Sequence, residues 1–344
     1  MSNLDINQQT IVESKDSRIV VMATSGSGKT KLLTERVKHL INNGVHPEEI
    51  VAITFTNAAA DEMKERLGPI ATRAYIGTIH GYANRILLSN GIKTQNFLDD
   101  EDFDALFELV SENRECVRPV HHLLVDEFQD VTEPQYRFFM ELINPQNFFY
   151  VGDPDQFIYG FAHADVGYLT NLAEDPDTTL FSLSANYRSA PSIVNFAKGF
   201  LKNVKDSFPY KIICINPNRG TLLKIYDDHF NFLLEEIKES ESYNDWLILT
   251  RTNAQVFETM EFLQINKIPC DTFKKTDFSS DEILNRMKAN TVKVLTAHSA
   301  KGLESENVAV YGMLLYNDDE RRLAYVAATR AKNKLLWFYR KKKG

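Results

Sequence analysis

Near the amino end, the stretch Ala23-Thr24-Ser25-Gly26-Ser27-Gly28-Lys29-Thr30 has the residue types and spacing needed to hold a polyphosphate. Gly26 and Gly28 let the backbone approach an anion with no Cβ in the way. Backbone N–H groups at the start of a helix then point at phosphate oxygens. Lys29 would reach the β and γ phosphates of ATP, and the Thr30 hydroxyl would bind Mg²⁺. Such a stretch is a phosphate loop only where a strand precedes it and a helix follows. Ala23 stands where the strict pattern has glycine. An ordinary glycine-rich turn is the competing explanation.

A second candidate is Asp126-Glu127, at the end of the apolar run His122–Val125. Acids at the end of a buried strand are costly without partners. A metal ion and a water are natural ones: Asp126 would hold Mg²⁺, and Glu127 would polarise an attacking water. Alone, such a pair also occurs as a solvated turn. Beside a phosphate loop in a parallel sheet, it points to triphosphate hydrolysis.

The elements that must position these groups follow a β-then-α rhythm. Arg18–Met22, Ile50–Phe55, His122–Val125 and Asn147–Val151 are short apolar strand candidates. Between them, Thr30–Asn42 carries Leu32, Leu33, Val37, Leu40 and Ile41 on one helical face, and Ala58–Leu67 is a further helix candidate. A second set starts near Thr179, with strands expected at Leu180–Leu183, Leu222–Tyr226, Trp246–Leu249, Val292–Leu295, Val308–Tyr311 and Lys334–Tyr339. Helices are expected at Ser192–Leu201, Phe230–Ser240 and Ala254–Asn266. The rhythm predicts an α/β fold with parallel sheets covered by helices. The polar, proline-containing EDPDTT places a boundary near residue 178, giving domains 1–178 and 179–344.

Bulk properties narrow the class. The chain has 344 residues, 43% of them apolar, which suits two globular domains. No apolar run approaches the roughly 20 residues of a membrane helix, and the N-terminus lacks signal-peptide features. Cys116, Cys214 and Cys270 show no metal-ligand spacing or disulfide framework, so a cytoplasmic location is expected. The net charge of −8 argues weakly against nucleic-acid binding, but says nothing of where the charges lie. The basic Arg340–Lys343 reads as a solvated tail.

Taken together, the ordered motifs resemble those of UvrD/Rep/PcrA-like superfamily 1A helicases. Leu4–Gln8 resembles the adenine-recognising Q motif. Ile53–Met63 is similar to motif Ia, Gly77–Gly81 to Ib, Val125–Asp130 to II and Val151–Phe161 to III. Asn186–Ser189 resembles motif IV, Thr296–Glu304 motif V and Glu320–Ala331 motif VI. The resemblance implies two RecA-like domains with ATP and Mg²⁺ in the cleft between them. The first would supply Gln8, Thr24–Thr30, Asp126, Glu127 and Gln156, and the second two arginine fingers, Arg188 and Arg330. It further implies that Tyr187 stacks on adenine and Glu304 contacts ribose. The family's arginine on adenine's other face is here Lys31, which has no planar group.

The resemblance also implies a single-stranded DNA track. Phe55, Tyr159 and Phe161 would stack on bases. Asn57, Thr78, His80, Thr296 and His298 would contact phosphate or sugar. Ala162 and His163 stand where the family has arginine and glycine after the motif III aromatic. The intervals Tyr82–His122, with its acidic Asp99–Asp104, and Asp271–Thr291 are too short for the family's accessory domains. The expectation is therefore a compact 3′–5′ translocase and helicase, acting on single strands or a 3′-tailed duplex and borrowing a protein partner for unwinding. An ATP-switched loader and an RNA-directed motor stay open as alternatives. No remaining segment is long enough for a nuclease domain.

Overall fold

The computed structural model describes residues 4–95, 104–205, 207–226, 229–273 and 280–339. The expected acidic stretch, apart from Asp104, and the basic tail lie outside the described residues. The chain divides into two compact units: Met1–Ala23 with Gly28–Leu183, and Thr24–Ser27 with Ser184–Gly344.

The first unit is built on six strands: β1 (Arg18–Ala23), β2 (Ile50–Ile53), β3 (Tyr75–Gly77), β4 (His122–Val125), β5 (Asn147–Gly152) and β6 (Thr179–Leu183). They lie in the order β3-β2-β4-β5-β1-β6, every pairing parallel. The central strands are unbroken apolar runs because helices cover both faces of a parallel sheet. Val20 and Val21 are wholly buried. The helices are α1 (Ile6–Glu13), α2 (Lys29–Asn42), α3 (Asn57–Leu67), α4 (Ile79–Ser89), α5 (Ala105–Glu112), α6 (Glu133–Arg137, continued by a π-helical turn Phe138–Ile143) and α7 (Gly167–Glu174). Leu32, Leu33 and Val37 of α2 pack with Ile19, Ala52 and Val151 of the sheet in one core.

The second unit holds a small pair, β7 (Ala185–Asn186) with β8 (Ile213–Cys214). Its main sheet has β9 (Thr221–Ile225), β10 (Trp246–Thr250), β11 (Cys270–Asp271), β12 (Val292–Thr296), β13 (Ser305–Val310) and β14 (Ala331–Phe338). These lie in the order β11-β12-β10-β13-β14-β9, again all parallel. The helices are α8 (Pro191–Leu201), α9 (His229–Lys238), α10 (Asn253–Ile265), α11 (Ser280–Lys288) and α12 (Asp318–Ala328). Trp246, Ile248, Val294 and Leu336 form the core with Ile237 and Leu263 from the helices.

Each unit is thus RecA-like α/β, the expected fold class. One strand is placed differently from the expectation. Leu180–Leu183, expected in the second set, forms β6 and pairs along β1 from Ile19↔Thr179 to Ala23↔Leu183. The compact units part after Leu183. An apolar strand does not carry the identity of its sheet, and the polar turn lies before the first unit's last strand. Among the described residues, no helix is long and apolar enough to cross a membrane.

Candidate active site

In the first unit the candidate residues follow the carboxyl ends of β1, β4 and β5, where open α/β sheets bind ligands. Gly28 caps α2 with φ 84°, a left-handed conformation open to glycine, and Gly26 has φ 71°. A Cβ on Gly28 would lie 3.3 Å from Nε2 of Gln8. The structure therefore brings Gln8, which closes the capping box of α1 with Asp5, against the phosphate loop. Gln8 is buried, and Lys31 on α2 is half-buried.

The acids sit beside Lys29 and Thr30. The Thr30 hydroxyl donates to Oδ2 of Asp126 at 3.0 Å, and Lys29 Nζ lies 3.7 Å from Oε2 of Glu127. Burial, reinforced by Glu127, pushes the Asp126 carboxyl up to about 6 against the opposing pull of Lys29 and the Thr30 hydrogen bond. A carboxylate so placed is suited to a cation. Glu127 has φ 50°, which costs a non-glycine residue roughly 1–3 kcal/mol. Gln129 Nε2 donates to Oε2 of Glu127 at 2.6 Å, and Gln129 Oε1 accepts from the Asp153 backbone N–H at 2.9 Å. Gln156 Nε2 donates to Oδ2 of Asp153 at 2.6 Å. Burial pushes the Asp153 carboxyl up as well.

The second unit contains the loop tip and both candidate arginines. Arg188 Nη1 and Arg330 Nη2 donate to Oγ of Ser25 at 3.3 and 3.4 Å. Asn186 Nδ2 donates to the Ser25 carbonyl at 2.7 Å, and the Tyr187 N–H donates to the Gly26 carbonyl at 2.9 Å. A Cβ on Gly26 would lie 2.8 Å from that of Arg188, so only glycine fits. Thr24 Oγ1 is 3.3 Å from the Tyr325 hydroxyl, and Ser27 is buried. Arg330, 2% exposed, is anchored by Nε to the Val326 carbonyl at 3.0 Å. Glu304, the expected ribose contact, here takes Nε of Arg188 at 2.5 Å and Lys332 at 3.2 Å. Burial alone would push its carboxyl up, but Arg188 and Lys332 outweigh burial and hold it below the ordinary value. These side chains line a hollow of about 510 Å³ with Tyr187, whose ring is 40% exposed, and Asn216.

The nucleic-acid candidates also lie beyond strand ends. Phe55 is half-buried after β2, and exposed Asn57 opens α3. Thr78 caps α4, its hydroxyl accepting from the Gly81 N–H at 3.2 Å. His80 packs 5.2 Å from Phe107, and burial lowers its pKa. Half-buried Tyr159 meets Phe161, 71% exposed, edge-on at 5.9 Å. Thr296 ends β12 and accepts from the Ser299 N–H at 3.2 Å. His298 is lowered by burial and by Arg251, against Glu320.

The residues fit ATP with Mg²⁺. The glycines leave room for phosphate, and the Thr30 and Asp126 oxygens lie together as hard ligands. Among the described residues, no group of three or more His, Cys, Asp or Glu could hold a metal. Sequence reasoning gave no role to Gln129, Asp153, Asn186, Tyr325 or Lys332. For all but Lys332, which lies one residue past motif VI, a polar type inside a motif was the only signal; the partners that matter here, such as Asp153 for Gln129 and Glu304 for Lys332, are distant in sequence.

Comparison with known proteins matches both halves of the chain. The family model for the UvrD/REP helicase N-terminal domain matches residues 4–117 and 92–177. That for the UvrD-like helicase C-terminal domain matches 181–287 and 279–342. The ATP-dependent DNA helicase PcrA of Staphylococcus aureus (strain Mu50) is 28% identical over 355 aligned residues, covering 74% of this chain and 48% of that protein. PcrA of Staphylococcus epidermidis is 27% identical, covering 78% of this chain and 50% of its own length. The chain spans about half the length of the curated relatives it matches. With both halves matched in order, this chain belongs to the UvrD/REP helicase family.

Proposed function

We propose that the protein hydrolyses ATP to move along single-stranded DNA in the 3′–5′ direction, with helicase activity on a tailed duplex. The carrying observation is the cluster of Lys29, Thr30, Asp126 and Glu127 at one edge of the first sheet. In this reading Gln8 recognises adenine and Tyr187 stacks on it. Lys29 holds the β and γ phosphates, and Thr30 with Asp126 holds Mg²⁺, which would neutralise phosphate charge. Glu127 orients and deprotonates the attacking water. Arg188 and Arg330 act on the same γ-phosphate, a role supported by their shared hold on Ser25. Glu304 exchanges Arg188 for ribose. Phe55, Tyr159 and Phe161 stack on bases, while Asn57, Thr78, His80, Thr296 and His298 contact the backbone. A protein partner would assist duplex opening.

The test is the ATPase rate with and without single-stranded DNA, for wild type, Lys29→Ala and Glu127→Gln. Strong stimulation in wild type and near loss in both variants is expected. An unstimulated wild-type rate would instead favour an ATP-switched loader. Competition between matched DNA and RNA strands tests the substrate class.

A further inference from the structure

Within the first unit, Gln129 spends both ends of its amide on groups the hydrolysis reading treats separately. Its Oε1 accepts from the Asp153 backbone N–H at 2.9 Å. A backbone N–H can only donate, so the oxygen must face Asp153 and the NH₂ must face the other way. That NH₂ donates to Glu127 Oε2 at 2.6 Å, with Asp130 Oδ2 a further 3.3 Å contact. Gln129 is fully buried, so neither bond is readily replaced by water. Gly152 makes the placement possible: a Cβ there would lie 2.9 Å from Gln129 Oε1 and 2.5 Å from Leu169.

The two ends lead to different places. Glu127 also faces Lys29 at 3.7 Å. Asp153 begins the segment that passes through Gln156 to Tyr159 and Phe161. Phe161 stands 71% exposed at its far end.

We infer that Gln129 is a positioning residue that holds the Glu127 carboxylate for hydrolysis and transmits to it the state of the Asp153–Phe161 segment. This rests on the proposed strand-stimulated ATPase. A base stacked on Phe161 restrains the segment, the Asp153 N–H stays seated on Gln129, and the amide keeps Glu127 aimed. Without the strand the segment is freer and Glu127 is aimed less often. Gln129 touches no substrate in this scheme and acts only through Glu127.

The test compares wild type, Gln129→Met and Gln129→Glu. Methionine keeps the volume and removes both hydrogen bonds. Glutamate keeps the size and an acceptor for the Asp153 N–H but removes the amide donor. Strand-stimulated kcat should fall about tenfold or more in both. The ratio of stimulated to unstimulated rate should also fall, while KM for ATP and the Kd for a fluorescent oligonucleotide stay within about threefold of wild type. A variant that keeps the wild-type stimulation ratio overturns the inference. So does one that loses nucleotide and strand binding along with kcat, the mark of a general structural role. A wild type with no strand-stimulated hydrolysis overturns the ATPase reading itself, and is told apart because it needs no variant.

Discussion

In the first unit, phosphate and nucleic-acid candidates share one edge of the sheet: Lys29, Asp126 and Gln156 follow the carboxyl ends of β1, β4 and β5, and Phe55 and Thr78 follow those of β2 and β3. In the second unit they lie on opposite edges. Thr296 ends β12 and His298 follows it, whereas Glu304 and Arg330 precede the amino ends of β13 and β14. On the proposed reading, the difference decides how each unit would link its two tasks. The first would need only a short strut, the role inferred for the Gln129 amide. The second needs a bar as long as its sheet is wide. Helix α12 supplies one: Glu320 in its first turn takes Arg251 in a two-pronged ion pair, and Arg330 follows its last turn. Its 11 residues span roughly 16 Å at 1.5 Å each. Tyr325, Val326 and Ala327 are buried along it, so it is packed stiffly in place.

The largest effect is expected at the far end of the bar. Arg330→Ala and Arg188→Ala should each lower kcat about 1000-fold, with single-strand affinity measured by anisotropy nearly unchanged. Loss of strand binding instead would mean the arginines serve the fold. At the near end, Arg251→Met leaves Glu320, 4% exposed, without its cation. The second unit should lose about 3 kcal/mol, read by hydrogen exchange as faster opening of β10 and α12 with the first unit's β1 unaffected.

A pH signature above pH 8 should mark the second unit. Burial brings Lys293 down to about 8, although its ammonium donates to the carbonyls of Ala289 and Thr291 at 2.7 and 2.6 Å. The folded state therefore releases this proton before the unfolded state does. The cost of charge is full below pH 8 and is relieved as pH rises toward the ordinary lysine value. Wild type should gain on the order of 2 kcal/mol relative to Lys293→Met across that window, measured as the difference in urea midpoints. The smallest effect is in the first unit: Thr78→Ala removes the cap of α4 and should cost about 1 kcal/mol, with Thr78→Ser restoring it.

The phosphate loop and the Asp126-Glu127 pair could be read from sequence because their working parts are neighbours in the chain, framed by apolar runs. Most strands were legible for the same reason, and His122–Val125 was placed residue for residue. What could not be read was pairing over distance. Leu180–Leu183 has a strand's composition whichever sheet it joins. Gln129 meets Asp153 only because β4 and β5 are adjacent. Glu304 was expected at ribose, and its hold on Arg188 depends on β7 and β13 belonging to one unit. Likewise nothing in the stretch Trp246–Thr252 announces that Arg251 will find Glu320.

Whether the groups of both units serve one motor is read from translocation kinetics. Single-stranded oligonucleotides of increasing length, labelled at either end, are mixed with protein, ATP and a trap for released protein. The time to the signal at the 5′ label should lengthen in proportion to the strand, while that at the 3′ label stays constant. Signals that do not depend on length at either end would mean that the protein does not move along the strand.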